Sequence, residues 1–106
     1  MIVVTTEQVA GHKIREVKGP VFGVVVRARG LGGDIVAFFR GLIGGEVKEY
    51  TAMLEDARRQ AIDRMIQNAT AMGANAVTMV RFDSSTVASN MSEVIAYGTA
   101  VVIEEE

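Results

Sequence analysis

The sequence predicts an α+β subunit of two layers, a single long helix laid on a small sheet, in the order strand, helix, strand, strand with a short strand ahead of them. Three observations carry this. The run Val24-Val25-Val26 is β-branched and extends a longer apolar stretch. The segment Glu46 to Met72 repeats its apolar residues at helical spacing. Beyond Gly73 two further apolar stretches, Ala76 to Asp83 and Ser92 to Ile103, are parted by the polar "SSTVASN".

In order along the chain, residues 9 to 18 alternate and read as the short N-terminal strand, broken at Lys18-Gly19-Pro20. Proline donates nothing to a ladder, so it belongs at a strand start, an edge or a bulge. A second strand runs from Val21 to Arg29. Side chains alternate across it, placing Phe22, Val24 and Val26 on one face and Val21 and Val25 on the other, so both faces ask for cover. In the helix, Tyr50, Leu54, Ala57, Ala61, Met65 and Met72 form one stripe, widened by Ile62, Ile66 and Ala69. Glu46 and Glu49 suit its first turn and Gly73 supplies a left-handed terminus. Glu55, Asp56, Arg58, Arg59, Asp63 and Arg64 read as a salt-laced exposed face. On the last strand Val94, Ala96, Gly98, Ala100 and Val102 share a face small enough to receive the helix closely. A helix crossover leaves the strands on either side of it parallel, and the last strand can return antiparallel between them.

One helix covers one sheet face, so the apolar second face points to self-association. The stretch "GGDIVAFFRGLIGGEVKEY" adds to this: Asp34 to Ile43 is apolar nearly all round, yet its ten residues are too few to cross a bilayer that needs ~20. Ile35, Phe38, Phe39, Arg40, Leu42 and Ile43 are therefore the candidate subunit interface, with Arg40 paired across to a carboxylate or carbonyl. Arg40, Gly44, Gly45 and Tyr50 are the candidate cleft for a small ligand.

Composition narrows the function. Residues 1–106 make a single domain, and eleven basic against thirteen acidic residues give a net charge of −2, with no basic field to draw nucleic acid or an anionic membrane. The absence of cysteine removes disulfides and thiolate ligands and suits a reducing compartment. No signal-peptide pattern opens the chain, so a cytoplasmic protein is expected. Soft metals want thiolate or imidazole, and His12 is the only histidine. Met65, Met72 and Met79 recur every seven residues, which could suggest a thioether site, but helical spacing places the first two in the core and methionine is a good gap-filler, so core is the reading preferred. "RGLGGD" and "GLIGGE" lack the spacing of a dinucleotide fingerprint and the lysine of a P-loop. The serines of "SSTVAS" have no histidine nearby in sequence. No catalytic residue, metal ligand or cofactor is assigned.

Gly44-Gly45, Tyr50, Leu54, Ala57-Arg58 and Ala61, followed by "GANAV" from Gly73 and "GTAV" from Gly98, resemble the YbjQ-like family of bacterial and archaeal proteins, which carries a heavy-metal-binding label. The resemblance covers nearly the whole chain. It implies a dodecin-like β-α-β-β subunit with antiparallel sheet order 1-3-2, in a homopentameric ring whose extra short strands join neighbours. The function expected is a non-enzymatic ring that binds a small ligand or acts as a scaffold; a heavy-metal-binding protein is the alternative, and an enzyme with a site shared between subunits is third.

Overall fold

A computed structural model describes the backbone at residues 1–28, 48–88 and 91–106; the side chains of residues 28, 48–50, 87 and 88 lie outside the description. Five elements are described: β1 (Ile2–Val3), β2 (His12–Ala28), α1 (Lys48–Ala71), β3 (Ala76–Ala88) and β4 (Met91–Glu105). They form a four-stranded sheet in the order β1-β3-β4-β2. β4 pairs antiparallel with both β2 and β3, so those two run parallel to each other, as the helix crossover requires. β1 adds to β3 in parallel, which makes the sheet mixed instead of wholly antiparallel. The order of the three long strands is the expected 1-3-2.

Two boundaries differ from the sequence reading. The expected break at residues 18 to 20 does not end a strand: β2 runs on through it, with register shifts between Ile14 and Glu16 and between Val17 and Gly19. Gly19 takes φ +120°, and Pro20 follows it opposite Thr99. An edge strand tolerates both, because its outward backbone groups need no partner strand. The short N-terminal strand is instead Ile2–Val3, held against Ala76 and Val77. Likewise Ser84 to Ala88, read as part of a connection, belongs to β3, with Ser84 opposite Val94 and Thr86 opposite Ser92. Polar residues can extend a strand when a long partner supplies the ladder, and β4 does so.

α1 spans 24 residues, about 36 Å at ~1.5 Å per residue. Ala57, Ala61, Met65 and Ala69 are its buried row, four apart, so one narrow ridge faces the sheet. They pack with Val21 and Val25 of β2, Val77 and Val80 of β3, and Val94, Ala96 and Ala100 of β4. The closest approach is at Gly23, where a Cβ would stand 3.0 Å from Met65 Cα and nearer still to Ala61 O and Met65 N. The helix ends as Gly73 enters φ +85°, with the Gly73 amide donating to Thr70 O and the Ala74 amide to Ala69 O, a Schellman arrangement. Asn75 then clamps β4: its amide donates to Val101 O, its side-chain NH2 to Ile103 O, and its Oδ1 accepts from the Ile103 amide.

Gly98 is buried on the helix-side face of β4, as expected, but its crowding comes from β3. A Cβ there would lie 2.7 Å from Thr78 O and 2.8 Å from Val77 Cγ1. β3 bulges at this point, Met79 and Val80 falling between the pairs Thr78–Thr99 and Arg81–Tyr97, with Met79 at φ +57°.

Candidate functional site

The two faces of the sheet are treated unequally. Val21, Gly23 and Val25 lie under α1. On the other face of β2, Phe22 is 51% exposed, Val24 37% and Val26 48%. Across the ladder Phe22 stands opposite Tyr97 with ring centroids 6.3 Å apart, and Val24 stands opposite Ile95. Further along this face the cover is internal: Val9 from the N-terminal segment packs on Ala76, Val101 and Ile103. The apolar surface begins where that segment stops.

The free edge of β2 is closed by side chains of α1. Asn68 Nδ2 donates to Phe22 O at 2.7 Å and Arg64 Nη1 to Val24 O at 2.6 Å, while Arg27 pairs with Asp56. The expected salt-laced helix face is therefore used differently. Among the described residues the ion pairs are strand–strand or strand–helix, and none joins two side chains of α1. Outward carbonyls of an edge strand compete for these groups, and a hydrogen bond to one of them outweighs a solvated pair worth a few tenths of a kcal/mol.

The outer half of β3 is different. Up to Arg81 its far side is occupied: β1 pairs there, the Val80 amide donates to Val4 O and the Met79 amide to Thr6 O. From Phe82 onward no strand adjoins that side among the described residues. Here a cleft of about 470 Å³ opens between α1 and the β3–β4 hairpin, lined by Leu54, Arg58, Phe82, Asp83, Ser84, Ser85, Thr86, Ser92 and Val94. Sequence reasoning missed Phe82, Ser84 and Arg58 as neighbours. The bulge at Met79 adds one residue to β3 and puts Phe82 opposite Ala96 on the helix side, where strict alternation from Thr78 would have put it on the other face.

Of the residues expected at a site, Ile35, Phe38, Phe39, Arg40, Leu42, Ile43, Gly44 and Gly45 lie outside the described residues. Tyr50 falls in the first turn of α1, its side chain outside the description. His12 is half-buried at the start of β2, with Nδ1 2.9 Å from Ala10 O. Met65 is fully buried and Met72 packs against the core, as their spacing suggests, but Met79 is 42% exposed because the bulge turns it outward.

The sequence as a whole matches a known family. A family model described as "Putative heavy-metal-binding" matches residues 1–104. The chain belongs to the YbjQ family. Among its relatives, a UPF0145 protein of Bradyrhizobium sp. (strain ORS 278) is 59% identical over 104 residues, covering 98% of this chain and 94% of the relative. One from Sulfurisphaera tokodaii is 60% identical, covering 97% and 90%. A crystal structure of a DUF74-family protein of unknown function from Pediococcus pentosaceus superposes with a TM-score of 0.66 at 17% identity, over 98% of both chains. That likeness bears on the YbjQ fold, a small α+β unit of helix and mixed sheet.

The family's metal description meets a poor donor set. Among the described residues no three His, Cys, Asp or Glu side chains come together, and the chain holds no cysteine. One imidazole and scattered carboxylates do not fit a soft heavy metal within one subunit. No helix among the described residues is long and apolar enough to cross a membrane.

Proposed function

We propose that this YbjQ protein works as a non-enzymatic homo-oligomer, a ring of five dodecin-like subunits that bury the open sheet face against neighbours and hold a small ligand in a cleft. The exposed row Phe22, Val24 and Val26 carries the reading. Full burial of such a side chain is worth ~1.5–3 kcal/mol, and these three, about half exposed, forfeit roughly half of that each, a sizeable fraction of the stability of a small domain. The chain's own elements are spent elsewhere: α1 lies on the opposite face and the N-terminal segment covers only the Val101 end.

The chain's dimensions favour a second copy as the cover. Its Cα radius of gyration is 17.2 Å, where a compact chain of ~100 residues has ~13 Å. The number five and the dodecin-like arrangement come from the family resemblance. A metal-binding role ranks second on the donor set, and an enzyme with a shared site third.

Light scattering after size exclusion tests the assembly. The wild type should elute at five times the 11.4 kDa of one chain. Val24→Asp puts an unpaired carboxylate in the contact, at a cost of several kcal/mol repeated in every subunit, and should yield monomers that keep their circular dichroism. Phe39→Asp, in the candidate interface segment, should do the same. A monomeric wild type, or a Val24→Asp protein with unchanged mass, overturns the proposal.

A further inference from the structure

We propose that the cleft between α1 and the outer half of β3 binds a small amphiphilic anion, a carboxylate or phosphate group carried on an apolar body. This rests on the ligand-holding part of the function proposed above, and it gives that ligand a chemical class and a place.

The charge comes from the helix wall. Leu54 and Arg58, one turn apart, both line the cleft. Most arginines in the described residues are engaged: Arg15 with Glu104, Arg27 with Asp56, Arg64 with Val24 O, Arg81 with Thr5 O and Val80 O. Arg58 lines the cleft and has no hydrogen-bond or ion-pair partner among the described residues. A guanidinium presents five donors in a fixed fork, suited to the paired oxygens of a carboxylate or phosphate. No ion pair joins Arg58 to a neighbouring carboxylate among the described residues. Asp56 is held by Arg27 and Gln60. Asp83 also borders the cleft, but its Oδ1 accepts the Ser84 amide and its ladder position is opposite Ile95.

The apolar half comes from the floor. Phe82 is 45% exposed in the cleft, beside Leu54 and Val94. Polar contacts come from the strand wall: Ser84 and Thr86 share the helix-side face with Phe82, and the backbone of 82–86 has no strand alongside it among the described residues. A volume of about 470 Å³ lies in the range of small-molecule sites, ~300–1,000 Å³. A neutral apolar ligand would leave Arg58 and the hydroxyls unused, and a cation would meet a like charge.

Phenyl phosphate serves as the probe, titrated into deuterated, 15N-labelled full-length protein and followed by transverse-relaxation-optimised NMR, with light scattering on the same samples. Saturable shifts should centre on the amides of Leu54, Arg58, Ser84, Thr86 and Val94. Arg58→Gln should weaken binding at least tenfold with the melting temperature and mass unchanged. Phe82→Ala should weaken it as well, and neutral benzyl alcohol should bind at least tenfold more weakly than the phosphate. Shifts confined to Phe22, Val24 and Tyr97, no saturable shifts, or equal affinity in Arg58→Gln would each overturn the site. A ring that fails to bind sinks this inference alone; a monomer that binds sinks the ring and spares it.

Discussion

At the residue scale the tightest constraint is Gly23. The backbone of α1 passes so close that any side chain would press on Ala61 O and Met65 N, which are fixed parts of a helix and not the movable end of a side chain. Gly23→Ala should therefore cost about 3 kcal/mol, the upper end of the range for overpacking, and lower the melting temperature by at least ~10 °C. Gly98→Val should also destabilise, through Thr78 O and Val77 at the bulge in β3. A melting curve unchanged by Gly23→Ala would mean that the helix does not rest on β2 there. Sequence reading selects Gly98 for this role because "AYGTAV" displays its small residues in an alternating row. Gly23 is harder to see inside "VFGVVV", since the strand pattern continues across it.

At the element scale, the sheet's long edges differ in protection. An unpaired edge offers its backbone to any extended chain, and proteins blunt such edges with charged or covering groups. Along β2, Arg64 and Asn68, one helical turn apart, occupy the outward carbonyls of Val24 and Phe22. Their joint replacement, Arg64→Met with Asn68→Ala, should remove about 1 kcal/mol per bond and lower the melting temperature by several degrees. It should also make scattering grow with time as β2 edges pair between molecules. A doubly substituted protein that melts like wild type and stays monodisperse would show that the edge needs no cover. The boundaries of these elements were the least legible part of the sequence. Gly19-Pro20 looks like a strand end, but an edge strand can bulge and continue, and β4 carries "SST" into its ladder against the local polarity.

At the scale of the whole molecule, the proposed ring is what could gather imidazoles for a soft metal. One subunit supplies a single imidazole, His12, with Nδ1 at hydrogen-bonding distance from Ala10 O. Calorimetric titration of the wild-type protein with zinc, copper and cadmium is expected to give no stoichiometric binding in the submicromolar range. Tight binding that His12→Ala abolishes would restore the family's metal description for this chain, with the ring gathering histidines that no subunit can gather alone. On the proposed assembly, the half-exposed face of Phe22, Val24 and Val26 is where neighbouring copies would meet.

The order of the three long strands came from the family resemblance, while the sequence by itself determined the period of α1, its glycine terminus, the parallel relation of the strands on either side of it and the two-sided apolar character of Val21 to Val26. All of these follow from local spacing, the handedness of crossovers and the rule that successive strand residues face opposite ways. Only the tertiary structure decided which face of β2 the helix takes, because nothing in an evenly apolar strand prefers one side. Tertiary structure also decided the fate of the charged helix face, since the carbonyls that claim Arg64 and Asn68 lie 40 and 46 residues away. The cleft with Arg58 and Phe82 depends on one extra residue at the Met79 bulge, which reverses the facing of the side chains from Arg81 to Thr86. A bulge is fixed by what the neighbouring strand and the N-terminal segment offer to Met79 and Val80, and those partners come from distant parts of the chain.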